Sequence, residues 1–362
     1  MKKLGISIYP NKSSVEEDLE YIQTARKYGF ERIFTCLLSV EGDKEKIISD
    51  FKKTISFAKE KEMEVICDIS PRIFAALNIS YQDLSFFADL GVDGIRLDMG
   101  FTGNEEAMMT YNSYGLSIEI NMSNSNKYLE NLLSYQPNLS KLTGCHNFYP
   151  HCYAGLSYDF FMECSRKFKQ HGLRTAAFIS SKDAAFGPWP IVEGLPTVEM
   201  HRELPIDVQA KHLFATNVID DVIISNAYAS EAEMKRLSEI NKEKITFTVD
   251  TVSTASDLEK EIIFREPHFY RGDVSDYMIR STQSRVKYRG HTFPAHHTPD
   301  IKRGDIIIES DLYQQYAGEL QIALKDMVNS GKSNVVARIR EEEIFLIDYL
   351  KPWEKFAFTA RA

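Results

Sequence analysis

Polar and apolar positions alternate most clearly along Gly115-Leu116-Ser117-Ile118-Glu119-Ile120-Asn121-Met122-Ser123. Leu116, Ile118, Ile120 and Met122 fall on one face, and Ser117, Glu119, Asn121 and Ser123 fall on the other, which is the period of a β-strand. The flanking segments repeat at the three-to-four spacing of helices. That context argues for a strand of a βαβ unit, with its apolar face packed on helices, rather than for a half-exposed antiparallel strand. The polar face then looks into a barrel or a cleft, where its small and acidic groups fit a site better than a core.

The same alternation of periods runs through the first two thirds of the chain. Strands are expected over 4–10, 32–39, 64–70, 94–100, 116–123, 142–150, 174–181 and 221–226. The intervening helices begin with 15–28, where Ser13 or Ser14 serves as N-cap ahead of an acidic first turn and Gly29 stops the helix. In 44–61, Ile47, Ile48, Phe51, Ile55 and Ala58 form one apolar stripe. Pro71 turns the chain out of the third strand, and a helical stretch runs on to Leu90. Eight strand–helix units in this span match a (β/α)₈ TIM barrel. The rival is a doubly wound sheet, which usually carries a glycine-rich phosphate turn after its first strand. Here that turn is Tyr9-Pro10-Asn11-Lys12, without glycine, and the barrel is the better reading.

From Lys244 the texture becomes β-rich. Short strands are expected near 245–249, 277–280, 306–309, 335–338 and 344–350, with one helix over 316–328. The division is a barrel over 1–241 and a smaller β-rich domain over 244–362. The chain of 362 residues is long enough for both.

Composition narrows the function classes. A net charge of -9 argues against general nucleic-acid binding. No apolar run reaches the roughly 20 residues of a bilayer span, and the first residues lack the apolar core of a signal peptide. Five scattered cysteines without a C-x-x-C pair fit reduced thiols in a cytoplasm.

Barrel enzymes place their chemistry at the C-terminal strand ends. Strand parity there collects Ser7 and Tyr9, Thr35, Asp68 and Ser70, Arg96 and Asp98, Glu119 and Asn121, and Asn147 and Tyr149. Three carboxylates among Asn, Tyr and Arg suit a carbohydrate site, since glycoside hydrolysis needs one carboxylic acid and usually a second carboxylate. Asp98 and Glu119 are the leading catalytic pair, with Asp68 in reserve. The same three fit a divalent-metal lyase or isomerase. Arg96 with Asp98 also fits a buried structural pair. A non-catalytic ligand-binding barrel is the third reading, which the density of inward carboxylates disfavours. The histidines do not form a metal site: His146 has helix-facing parity, and His296-His297 reads as a solvated loop.

The long stretch after strand seven carries Trp189, which suits stacking on a sugar, and Glu199, His201 and Arg202, which either line the site or open the next helix. In the second domain Arg271, Arg280 and Arg285 stand among hydroxyl groups, a combination suited to phosphate.

His146-Asn147-Phe148-Tyr149-Pro150, with Leu97-Asp98, Ile118-Glu119-Ile120-Asn121, Gly194-Leu195-Pro196-Thr197, Tyr270-Arg271-Gly272-Asp273 and Arg280-Ser281-Thr282, carries a family resemblance. The chain resembles, nearly end to end, the bacterial 6-phospho-N-acetylmuramidases of the MupG type, formerly labelled outer surface proteins. The resemblance implies a TIM barrel followed by a cyclophilin-like β domain. It also implies cytoplasmic cleavage of 6-phospho-N-acetylmuramic acid-β-1,4-N-acetylglucosamine into its two sugars in peptidoglycan recycling. On this reading Arg271, Arg280 and Arg285 take the 6-phosphate, the second domain caps the barrel mouth, and no cofactor or metal is needed.

Overall fold

The computed structural model describes residues 1–37, 44–69, 74, 77, 79–191 and 193–361. The chain divides into two compact units, Met1–Glu239 and Ile240–Ala362. Ser70 and Pro71, named above, lie outside the described residues.

The first unit is a closed barrel of eight parallel strands in sequence order. They are β1 (Lys3–Ile8), β2 (Arg32–Cys36), β3 (Glu64–Ile69), β4 (Gly94–Leu97), β5 (Ser117–Asn121), β6 (Leu142–Cys145), β7 (Arg174–Ile179) and β8 (Asp221–Ile224). Pairing of β1 with β8 closes the ring. Helices follow most strands, and the helix Val15–Lys27 shows why local sequence suffices. Ser14 accepts from the backbone N–H of Glu17, whose side chain returns to the Ser14 backbone, and Gly29 leaves the helix end with φ of 76°.

An apolar cluster fills part of the barrel toward the C-terminal strand ends. Phe34, Phe148 and Phe178 meet edge to face with centroids 5.0–6.1 Å apart. Each such pair contributes about 0.5–1.5 kcal/mol beyond its buried area.

The second unit is a seven-stranded sheet of β9 (Ile245–Thr251), β10 (His268–Phe269), β11 (Met278–Ser281), β12 (Asp305–Glu309), β13 (Leu320–Ala323), β14 (Ser333–Ile339) and β15 (Lys355–Ala360). Its order is β10-β15-β9-β14-β12-β13-β11, and only β9 with β15 is parallel. Two sequence expectations fail here. The expected helix over 316–328 is β13, because Gly318 at φ of 79° breaks the chain and Leu320 and Ile322 then alternate with polar neighbours. The expected strand over 344–350 is 3-10 helix (Glu341–Tyr349), because buried Glu343 turns inward to accept from the Thr248 backbone N–H.

Candidate active site in the barrel

Register fixes which side chains enter the barrel, since lateral partners in a parallel sheet share a face. Cys36, Asp68, Arg96, Glu119 and Thr143 are successive partners across β2 to β6. Thr35 instead pairs with Ile8 and Cys67, so the sequence-based placement of Thr35 inside the barrel is corrected. Arg32, Phe34 and Cys36 are the inward residues of β2, held to that parity by the ion pairs of Arg32.

Those ion pairs also decide the position of Glu119. Arg32 donates from Nη2 to Glu119 Oε2 at 2.5 Å and from Nη1 to Asp221 Oδ2 at 2.8 Å. Arg174 Nε donates to the same Asp221 oxygen at 2.9 Å. Arg32, Glu119 and Asp221 are fully buried. Glu119 therefore belongs to a buried ionic layer inside the barrel. The sequence places Glu119 in the catalytic pair; in the structure its Oε2 is held by Arg32.

The next polar layer is organised by Arg96, itself buried. Nη1 donates to Asp68 Oδ1 at 2.6 Å, Nη2 donates to Asn147 Oδ1, and Asp98 Oδ1 lies 3.5 Å from Nη2. One guanidinium thus gathers β3, β4 and the segment after β6. The two carboxylates differ in surroundings: the Asp68 side chain is 14% exposed and that of Asp98 is 47% exposed. Burial pushes the Asp68 carboxyl up to about 6, and Arg96 only partly opposes this. Cys36 Sγ, 3.9 Å from Asp68 Oδ2, completes the pocket around that carboxyl. The role of Cys36 was hidden in the sequence by the wrong parity for β2.

Asn121 Nδ2 donates to Asp98 Oδ1 at 3.3 Å and to the Asp98 carbonyl at 3.2 Å. Its own Oδ1 accepts from the Ser123 backbone N–H at 2.8 Å. Ser123 Oγ in turn accepts from the Asn147 backbone N–H at 2.8 Å and meets His146 Nδ1 at 3.1 Å. His146 reaches Ser165 on the surrounding helix with its other nitrogen. Burial lowers its pKa to about 3, so it is a neutral strut behind the site, as its parity implies. Tyr149 is half-buried beside this group, and burial raises its phenol.

Three other expectations are revised. Tyr9, expected at the substrate, is buried in the cluster with Phe34 and Phe178 and donates its hydroxyl to the Ser225 carbonyl. His201 is buried, with Nε2 2.7 Å from His212 Nδ1. Glu199 accepts from the backbone N–H groups of Tyr153 and Gly155 and from Arg202 Nε and Nη2, at 2.6–2.8 Å. Arg202 then donates to the carbonyls of Tyr149, His151, Glu193 and Gly194. Glu199 and Arg202 lace the segment after β6 to the segment after β7, a task that spacing alone does not reveal. Trp189 is half exposed on the latter segment.

The metal alternative required Asp68, Asp98 and Glu119 to converge. Glu119 instead faces Arg32, and Asp68 faces Arg96. Among the described residues no group of three or more His, Cys, Asp or Glu side chains is assembled to hold a metal ion. His296, expected in a solvated loop, has Nε2 2.9 Å from Glu259 Oε1.

In the second unit Arg271, Arg280, Arg285, Arg289, His291 and Tyr316 line a cavity of about 630 Å³. Buried Glu319 orients two of the arginines, with Oε1 2.6 Å from Arg280 Nε and Oε2 3.1 Å from Arg285 Nε. Arg271 is held by Asp273.

Comparison with known proteins agrees with this architecture. The family model described as 6-phospho-N-acetylmuramidase, N-terminal, matches residues 4–239, and the one described as 6-phospho-N-acetylmuramidase, C-terminal, matches residues 245–359. No curated protein matches the chain. A crystal structure of an uncharacterized B. cereus protein is 51% identical, covers 99% of both chains and superposes with a TM-score of 0.93. A conserved Enterococcus faecalis protein of unknown function is 26% identical over 99% of this chain and 97% of its own, with a TM-score of 0.73.

Proposed function

The chain belongs to the 6-phospho-N-acetylmuramidase family, and on that premise we propose that Asp68 and Asp98 are the carboxylates that carry its hydrolytic chemistry. The protein is a glycosidase with 6-phospho-N-acetylmuramidase activity. The proposed substrate is 6-phospho-N-acetylmuramic acid-β-1,4-N-acetylglucosamine, a small phosphorylated disaccharide from peptidoglycan recycling. The proposed products are N-acetylmuramic acid 6-phosphate and N-acetylglucosamine, and the proposed compartment is the cytoplasm. Among the described residues no helix is long and apolar enough to cross a membrane.

The observation that carries the assignment is the shared guanidinium of Arg96, with a buried, pKa-raised Asp68 at 2.6 Å and an exposed Asp98 at 3.5 Å. Glycosidases need two carboxyl groups in different environments, one protonated to release the leaving oxygen and one ionised. Asp68 fits the acid: its proton goes to the glycosidic oxygen as the bond to the anomeric carbon breaks, and water adds to that carbon, its released proton restoring the acid. Asp98, oriented by Asn121 and exposed to solvent, fits the ionised partner that meets the positive charge developing on the sugar ring. Arg96 and Asn147 hold both in place. Trp189 and Tyr149 are proposed to contact the sugars.

Arg271, Arg280 and Arg285 are proposed to take the 6-phosphate, supported by planar donors already oriented by Glu319 and Asp273. The test is incubation of EDTA-treated protein with the phosphorylated disaccharide and with its unphosphorylated twin, followed by mass spectrometry. Cleavage confined to the phosphorylated form supports the reading. Cleavage of neither, restored by added Mg²⁺ or Mn²⁺, would refute it.

A further inference from the structure

Behind the barrel site, one histidine has its tautomer set by its neighbours. His146 is buried, with Nε2 2.9 Å from Ser165 Oγ and Nδ1 3.1 Å from Ser123 Oγ. Ser165 Oγ also lies 2.7 Å from the Phe161 carbonyl oxygen, one turn back on the same helix. A carbonyl only accepts, so the single hydroxyl hydrogen of Ser165 goes to it. Ser165 Oγ therefore accepts from His146, and the ring carries its hydrogen on Nε2. Burial keeps that ring neutral. Nδ1 is left as an acceptor, and it takes the hydroxyl hydrogen of Ser123.

With its hydrogen turned to His146, Ser123 Oγ offers its lone pairs to the Asn147 backbone N–H, which donates to it at 2.8 Å. The bonds run one way, from Asn147 through Ser123, His146 and Ser165 to the Phe161 carbonyl, and bonds aligned in this manner polarise one another. Asn147 is gripped on its other side as well, where its carbonyl accepts from Thr197 Oγ1 at 2.8 Å. Its side chain then accepts from Arg96, which donates to Asp68. The backbone of Ser123 serves the second carboxylate. Its N–H donates to Asn121 Oδ1, which turns Nδ2 of that amide toward Asp98. One residue thus joins both arms of the site.

We propose that Ser123 is a positioning residue for both carboxylates, and that His146, protonated at Nε2, keeps the Ser123 hydroxyl turned to Nδ1 and its lone pairs turned to Asn147. The effect on catalysis runs through Asn147 to Arg96, with neither Ser123 nor His146 touching the sugar. That half rests on the assignment of Asp68 and Asp98 made above, whereas the tautomer is independent of it.

Steady-state kinetics of three variants on the phosphorylated disaccharide, with the tautomer read by NMR, tests both halves. Ser123→Ala keeps the backbone N–H for Asn121 and removes the hydroxyl. Its kcat is expected to fall about tenfold to a hundredfold, the scale of a misplaced catalytic group, with KM changed less than about threefold. His146→Asn and His146→Gln divide the two contacts of the ring. The carboxamide of Asn reaches as far as Nδ1 and still accepts from Ser123, whereas that of Gln reaches as far as Nε2 and keeps only Ser165. His146→Asn is therefore expected to retain severalfold more turnover than His146→Gln. Equal turnover in the two, the reverse order, or a wild-type kcat in Ser123→Ala overturns the proposal. If the His146 variants fail to fold, ¹⁵N NMR of the histidine-labelled full chain at pH 7 decides, with the His146 signals identified by their shift in Ser123→Ala. A protonated Nε2 and a bare Nδ1 are expected, and a protonated Nδ1 overturns the proposal. Unimpaired turnover in both Asp68→Asn and Asp98→Asn overturns the carboxylate assignment instead and leaves the tautomer standing.

Discussion

Arg96 donates from Nη1 to Asp68 Oδ1 at 2.6 Å while its other terminal nitrogen, Nη2, stands 3.5 Å from Asp98. A single buried cation therefore spans a nearly enclosed carboxyl and an open one. Its charge tempers but does not cancel the burial that raises Asp68, and it holds Asp98 at the same guanidinium.

Asp98 is expected to lose rate rather than affinity when neutralised. Asp98→Asn keeps the shape and the Asn121 contact but removes the charge, so kcat should fall by about two to four orders of magnitude with KM changed far less. Steady-state kinetics on the phosphorylated disaccharide checks this. Asn121→Ala, which only frees Asp98, should cost less than Asp98→Asn.

Glu119 is expected to behave as a structural residue. Arg32→Met leaves Glu119 without its main cation inside the barrel, and removing one partner of a buried pair typically costs about 3–5 kcal/mol. Urea unfolding should show that loss. Glu119→Gln should lower stability while the folded protein retains turnover within about tenfold of wild type, the scale of a change outside the reacting atoms.

The Glu199–Arg202 lacing is expected to act through the segments it joins. Arg202→Ala abandons four backbone carbonyls as well as Glu199. KM should rise more than kcat falls, and limited proteolysis should cut between 187 and 199 sooner than in the wild type. Equal proteolysis of the two proteins would count against the lacing.

Acid should destabilise the barrel through its buried histidines. Burial lowers His212 to about 4 and His146 to about 3, below the ordinary value near 6.5. The neutral ring is thus favoured in the folded state, so this stability is complete above about pH 6.5. It is lost as pH falls toward 4 and then 3, by up to about 1.4 kcal/mol per pH unit for each histidine. Urea unfolding at pH 7, 5 and 4 measures the slope, which His212→Gln should reduce.

The barrel was legible in the sequence because its strands and helices keep separate periods from β1 to β8, and capping residues such as Ser14 mark helix starts. The Asp68, Arg96, Asp98, Asn121 and Asn147 group was legible because strand parity is a local property. The ion pair of Glu119 with Arg32 was not legible because the same parity serves both the ionic layer and the mouth, and height within a barrel depends on partners far apart in sequence. Arg32 and Asp221 are separated from Glu119 by 87 and 102 positions. The contacts of Tyr9 with Ser225 and of His201 with His212 were not legible because those partners lie far along the chain or on the next helix. In the second unit Gly318 and the inward Glu343 override helix and strand patterns that hold over only a few residues.

The most direct measurement is the pH dependence of kcat/KM for wild type and Asp68→Asn on the phosphorylated disaccharide. Asp68 must be protonated to act as the acid, and its pKa is about 6. On the basic side the wild-type value should therefore fall tenfold per unit above about pH 6. Asp68→Asn should lose two to four orders of magnitude, on the order expected for a general acid, together with that basic limb. An Asp68→Asn protein that turns over near the wild-type rate, with the same limb in its profile, would contradict the account.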